Sequence, residues 1–523
     1  MSDKTRLALG ILVASVVLGF AGNWLLWAPD WGINVGLWLA IAVAAALGLR
    51  RLGRVERLPG EPWSFVAVLF FAFAFAWRDT GWLRTLDILV IGVALTLPFW
   101  RPVAGTLKRA LLGEAALGAA NGTASAIGGW VFALDPEIKW SEAAQGGAWR
   151  HGGGVLLGLA LGLPLLLIFG ALFMSADARF DGLVRGAFKM DLEEGIGHGF
   201  VIAILAWGTG GFLYGMLGHR ARPAVSLPGW AIGIVPVATV LVMLVALFGT
   251  FVALQVPYLF GGAAVIAQSS GLTFAEYARR GFFELVTVTT LALPLLLALH
   301  GLKGAASARA EAVFRVLAWA MLLLLGVFIA SAVQRMLLYQ GEYGWTTARL
   351  FVLAFEFWLA GVLAWFGATV LRGNRPAFLF GAIAWGMVAA AAMHVPNWEA
   401  MIVRHNLSLA TQGRPVDVQY FYELSLDAVP ALAEALPTLK DDTGRAVAHQ
   451  LYNAHLDTHE PDWRTWRWSQ QAAAQALKDR RAELELLTKP VYGPEYVHGS
   501  TMYPVDTVNT VEPTAERDWR DSR

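Results

Sequence analysis

The chain contains no cysteine. That excludes disulfide staples, thiolate-held zinc or iron–sulfur centres and thiol catalysis. Charge is scarce as well: Asp, Glu, Lys and Arg make up 15% of 523 residues, against about a quarter in soluble domains. A net charge of +1 removes any global attraction to nucleic acid. There is no GxxxxGK[ST], no GxSxG elbow and no HExxH pair, so no built-in P-loop NTPase, serine-hydrolase or zinc-protease pattern. Alternating apolar and polar runs of an outer-membrane barrel are missing. So are two matched halves with interrupted helices, the usual pointer to a secondary transporter. The loop at 28–32 holds only Asp30, which weakens the case for a lipid-linked-sugar transferase.

What is present is apolar. Hydrophobic residues account for 57%, with 23 Trp and 29 Phe, and the mean hydropathy is +0.53. The composition is that of an all-α, polytopic membrane protein. A span needs about 20 apolar residues, and eleven stretches qualify: 7–27, 33–49, 63–77, 86–100, 155–174, 196–217, 230–257, 282–300, 313–338, 348–371 and 378–397. The expected organisation is a four-span segment (1–100), a cytoplasmic amphipathic or re-entrant segment (101–154), a seven-span core (155–397), a helical tail (398–487) and an extended or disordered end (488–523). Loop Lys and Arg number eighteen on the side of the N-terminus and nine on the other. The excess of positive charge belongs inside, so the N-terminus is expected in the cytoplasm of a bacterial inner membrane, with the tail outside.

Helical spacing predicts tail helices over 417–436, 439–456 and 463–487, punctuated by Pro430, Pro437 and Pro461. The run WRTWRWS at 463–469 interleaves Trp and Arg. It suits the headgroup layer of a membrane and equally suits packing onto the membrane domain.

Polar residues gather at the ends of the later spans. Glu276, Arg280 and Glu284 recur at i, i+4 and i+8, one helical face. Gln334, Arg335 and Tyr339 close the ninth span; Arg349 and Glu356 share a face of the tenth; His394 and Asn397 end the eleventh. Asp177, Arg179 and Asp181 follow the fifth. All fall at the outer level of the expected topology, where isolated charges are costly and pair or face a cavity. Asp177, Arg280, Glu284, Arg335, Tyr339, Arg349, Glu356 and Asn397 are therefore the candidate ligand site. A buried ion-pair network that fixes helix register explains the same pattern. His455 and His459 lie at i, i+4 and could hold a metal, but solvated tail histidines are the simpler account. No cofactor or metal is implied.

The ordered set FMSADARFD, GLTFAEYARRGFFELV, YGWTTARLFVLAFEFWL, NWEAMIVRHNL, VDVQYFYELSLDAVPAL and DWRTWRWS resembles the bacterial integral-membrane family called domain of unknown function 4173, over roughly 160–470. That resemblance implies a multi-span bacterial membrane architecture and no established activity. Three functions remain: an envelope binding, sensing or assembly protein, an ion- or proton-coupled transporter, and an intramembrane enzyme acting on a lipid or lipid-linked substrate. The first is favoured by the large tail and the lack of marked chemistry. Membrane lipid and another envelope protein are the expected partners, and nucleic acid is not.

Overall fold

The computed structural model describes residues 1–58, 60–100, 112–143, 192–218, 231–260, 282–304, 307–410, 417–439, 441–456 and 462–488, with scattered positions between 158 and 180. The chain is all-α among these residues. The bundle helices are α1 (Asp3–Leu26), α2 (Ile33–Leu52), α3 (Glu61–Ala74), α4 (Gly81–Thr96), α5 (Leu112–Gly128), α6 (Leu192–Leu217), α7 (Ile234–Phe260), α8 (Phe282–Leu302), α9 (Ala308–Tyr343), α10 (Thr347–Thr369) and α11 (Pro376–Ala392). The tail carries α12 (Trp398–Ala410), α13 (Val429–Ala435), α14 (Asp441–Leu456), α15 (Trp468–Asp479) and α16 (Arg481–Leu487). Their starts follow from local chemistry. The side chains of Ser2, Ser307 and Thr346 accept hydrogen bonds from backbone N–H groups of the first turns of α1, α9 and α10, and Pro376 opens α11, where a missing N–H costs nothing.

The count of eleven spans is corrected. Eight described helices are long and apolar enough to cross a membrane. The stretches at 63–77 and 378–397 form helices of 14 and 17 residues. At 1.5 Å per residue these reach about 21 and 26 Å, short of a hydrocarbon core of about 30 Å. In each, the remaining apolar residues lie in the turns at 75–77 and after Met393, so length and apolarity alone do not qualify these two helices as spans. The stretch at 155–174 lies almost wholly outside the described residues, as do Glu276, Arg280, His459 and the chain from 489.

Three cores form. One joins α1, α2 and α6 through Leu7, Ile11, Leu18, Trp130 and Leu213. A second joins α7 to α11 through Leu241, Leu296, Phe314, Leu325 and Phe366. The third belongs to the tail alone, built from Val403, Phe421, Leu432, Val447, Leu451 and Ala473. At one end of α1, Lys4 pairs with Asp135 at 3.0 Å; at the other, the Trp27 ring meets that of His198 of α6 at a tilt of 41°, with centroids 4.2 Å apart. After α5 the chain turns at Gly129, whose φ of 53° suits a residue without Cβ. Trp130 then donates to Ser15 Oγ at 3.0 Å, halfway along α1. By Asp135 the chain is back beside Lys4. The tail docks at the Trp27 end, opposite Ser2.

Candidate functional site

The densest polar arrangement among the described residues is the joint where the tail meets the bundle. α4 begins at Gly81 with Thr80 before it, and the Thr80 side chain makes no capping bond to the helix. Asp427 of the tail supplies the acceptor instead. Its Oδ2 accepts from the N–H of Asp79 at 2.7 Å, and from the N–H and Oγ1 of Thr80 at 3.1 Å each. Its Oδ1 lies 3.4 Å from the Arg78 guanidinium. Asp427 is 2% exposed. A carboxylate at a helix N-terminus, with several donors and a guanidinium, is the arrangement that tolerates burial.

Asp79 answers from the other side. Its Oδ1 accepts from Arg467 of the tail at 2.8 Å and from Arg84 of α4, and its Oδ2 receives the Leu426 N–H at 3.4 Å. Arg467 also reaches Asp30 at 3.2 Å. Arg78 donates to the carbonyls of His394 and Val395 at 3.1 Å each, where α11 passes into the tail. Asn397 donates to the Asp427 carbonyl at 2.8 Å. Beside it, Glu399 Oε2 accepts from the N–H and Oγ of Ser425, both at 2.7 Å. Burial, with the nearby Asp427 and Asp79 carboxylates, pushes the Glu399 carboxyl up to about 7 despite those bonds.

Beneath the joint lies a buried pair. His394 is 0% and Asp87 of α4 1% exposed. His394 Nε2 is 3.1 Å from Asp87 Oδ1, and Nδ1 is 3.0 Å from the Ala390 carbonyl. A carbonyl only accepts, so Nδ1 carries a hydrogen. The contact to Asp87 then needs a second proton between ring and carboxyl. The rings of Phe70, Phe71 and Trp77 surround His394.

The tail also grips the α9–α10 turn. Asn406 Oδ1 accepts from Trp345 N at 2.7 Å, and Asn406 Nδ2 donates to Trp345 O at 2.9 Å. His405 stacks on the Trp345 ring at 4.3 Å, and burial holds its imidazole below the usual range. The Thr347 N–H donates to the Tyr420 hydroxyl at 2.7 Å.

The residues singled out from sequence are not one cluster. Asn397 belongs to the joint. Arg349 lies 4.4 Å over the Tyr339 ring and donates to the Tyr343 and Gly344 carbonyls. Arg335 and Glu356 are buried in α9 and α10. Asp177 is exposed and bonds its own loop at Arg179 and Phe180. Glu284 is exposed on α8, and Arg280 lies outside the described residues. Sequence reasoning passed over Asp79, Asp87, Asp427 and Arg467. Asp87 had a signal, a lone carboxyl inside an apolar run. The others are recognised only once segments about 350 residues apart are brought together.

No curated protein and no solved structure matches the chain. The likeness to domain of unknown function 4173 is overturned, because the family model that matches this stretch is that of a different family. Its motifs are short aromatic–arginine and acidic pieces at helix ends, which interfacial chemistry repeats across unrelated multi-span proteins. The matching model covers residues 65–435, taking in α4, the Asp79–Asp427 joint and the first part of the tail, and the chain belongs to the family it describes, a domain of unknown function (DUF4153).

Proposed function

We propose that this multi-pass membrane protein is a binding, sensing or assembly protein of the bacterial envelope, in which the tail receives a partner and the Asp79–Asp427 joint relays that event to the bundle. One observation carries this. The tail has its own apolar core, yet it is held to the bundle by carboxylates, guanidiniums and backbone groups drawn from both sides. Polar joints of this kind resemble the reversible interfaces between domains. The tail bridges the N-terminal helices through Asp30 and Asp79 and the C-terminal ones through Trp345 and Thr347. A shift of the tail therefore strains both halves together.

The N-terminus faces the cytoplasm of the inner membrane in this proposal, supported by the eighteen-to-nine distribution of Lys and Arg. Ser2 and the tail lie at opposite ends of the bundle, which requires an odd number of crossings. The joint then faces outward, where an envelope protein can reach it. The test is complementation of a chain-deletion phenotype. Asp427→Asn and Arg467→Gln should insert at wild-type level and fail to complement. Full complementation by variants whose tail is shown to be released by protease would overturn the reading.

A further inference from the structure

We propose that Glu356 is a proton-binding site at the middle of the membrane, loaded from the outer side along α9. This goes beyond the role of the tail and takes from that reading only the orientation of the bundle. Thr346 caps α10, and Glu356 follows ten residues later. At 1.5 Å per residue it lies about 15 Å from the outer end, half the thickness of the hydrocarbon core. It is 1% exposed, and neither carboxyl oxygen has a hydrogen-bond partner. It shares a face of α10 with Leu359, Leu363 and Phe366, the latter two part of the core formed with α8 and α9. A short side chain so placed cannot snorkel to water.

The groups around it select the ligand. α11 carries no charged residue, and the buried face of α8 offers Phe282, Leu285, Thr289 and Ala292. On α9, Arg335 precedes Trp345 by ten residues and Glu356 follows it by eleven, so in an antiparallel pair they sit at one depth. Among the described residues both oxygens of Glu356 are without a partner, and no group of three or more His, Asp or Glu could hold a metal ion. A metal cation asks for several oxygens, whereas one proton neutralises a lone carboxyl. Binding forms one O–H bond on Glu356 and breaks one on a hydronium, with charge conserved. Ser331, Arg335 and Tyr339 recur at i, i+4 and i+8 of α9, a polar line from this depth to the Arg349–Tyr339 contact at the outer edge.

The test uses the full chain in sealed right-side-out vesicles. N,N′-dicyclohexylcarbodiimide partitions into hydrocarbon and adds to protonated carboxyl groups. Peptide mass mapping should find the adduct on Glu356 in the wild-type chain, without need of any variant. Its yield should fall about tenfold per pH unit once the outer solution passes the titration range of the group, and should ignore the inner pH. Glu356→Gln, which keeps the neutral shape, should insert normally and lose that adduct, while Glu284→Gln should label as wild type. No adduct on Glu356, a yield independent of pH, a yield that follows the inner pH, or protection by sodium chloride would each overturn the proposal.

Discussion

At the scale of single residues, Asp427 carries the joint. It satisfies three donors of the α3–α4 turn and the Arg78 guanidinium from a buried position. Asn in its place presents one acceptor oxygen and turns an amide donor toward a donor. Breaking one side of a buried charge pair typically costs about 3–5 kcal/mol. Asp427→Asn should therefore release the tail at lower denaturant concentration, read by protease cleavage between α12 and α13. Arg78→Gln in the same chain should recover part of the loss, because it removes the stranded guanidinium; strict additivity would show that the two are not coupled. Glu399 makes a separate forecast. Its carboxyl ionises near 4.5 when free and about 7 when docked. Below 4.5 both states hold the proton and the contribution to docking is complete. As the pH rises toward 7 the undocked chain loses its proton first, so docking weakens by on the order of 1 kcal/mol per unit across that window. Glu399→Gln should flatten this slope, since its amide oxygen still accepts from Ser425. An unchanged slope would assign the pH dependence elsewhere. His394 and Asn397 stood out in the sequence because they close an apolar run. Asp79 and Asp427 did not, because i, i+4 spacing reports only on neighbours within one helix, and this pairing spans 348 residues.

Among the elements, the segment at 463–468 does two things at once. Its backbone is stitched to the bundle: Ile33 N donates to Trp466 O at 3.1 Å, and Trp468 N donates to Ala76 O at 2.7 Å. Its rings stay exposed, with Trp463 5.6 Å from Trp24 at the tail end of α1. The Trp–Arg pattern suggested either a membrane interface or packing; the structure combines packed backbone with exposed rings. Gly32 permits the approach. A Cβ there would meet the carbonyls of Trp466 and Thr465 at 2.6 and 2.7 Å, backbone atoms that cannot move aside. Gly32→Leu should lift this strand from α2. The expected readout is faster cleavage at Arg464 and a lower melting temperature, with insertion unchanged; wild-type protection would show that the stitch does not hold the tail. The helix starts at Ser307, Thr346 and Pro376 follow local capping chemistry, while the tail helices at 417–436 were legible only from apolar spacing. The break between Phe421 and Val429, inside a stretch expected to be one helix, was not. There the chain leaves helical geometry to aim Asp427 at α4, a gain visible only in tertiary contact.

The whole molecule is two groups of membrane helices that pack on each other where α11 meets α3 and α4 and are also bridged at one end by the tail, and the proposed sidedness rests on which end that is. Membrane class and helical content were legible from composition, because hydrocarbon admits few alternatives. The number of spans was less so, since apolarity does not show where a helix stops. Sidedness can be tested cleanly because the chain has no cysteine, so each engineered thiol is the only one present. Glu56 is exposed in the α2–α3 connection, at the end where Arg50 pairs with Glu61. Gln471 is exposed on α15 in the tail. A membrane-impermeant maleimide applied to intact spheroplasts should label Gln471→Cys at once and Glu56→Cys only after lysis. Labelling of Glu56→Cys alone would invert the orientation: the tail, the joint and the outer end of the α9 stripe would then all face the cytoplasm, and the partner would be cytoplasmic. Labelling of both in intact cells would contradict the fold itself, because it would place the α2–α3 connection and the tail at the same end of the bundle.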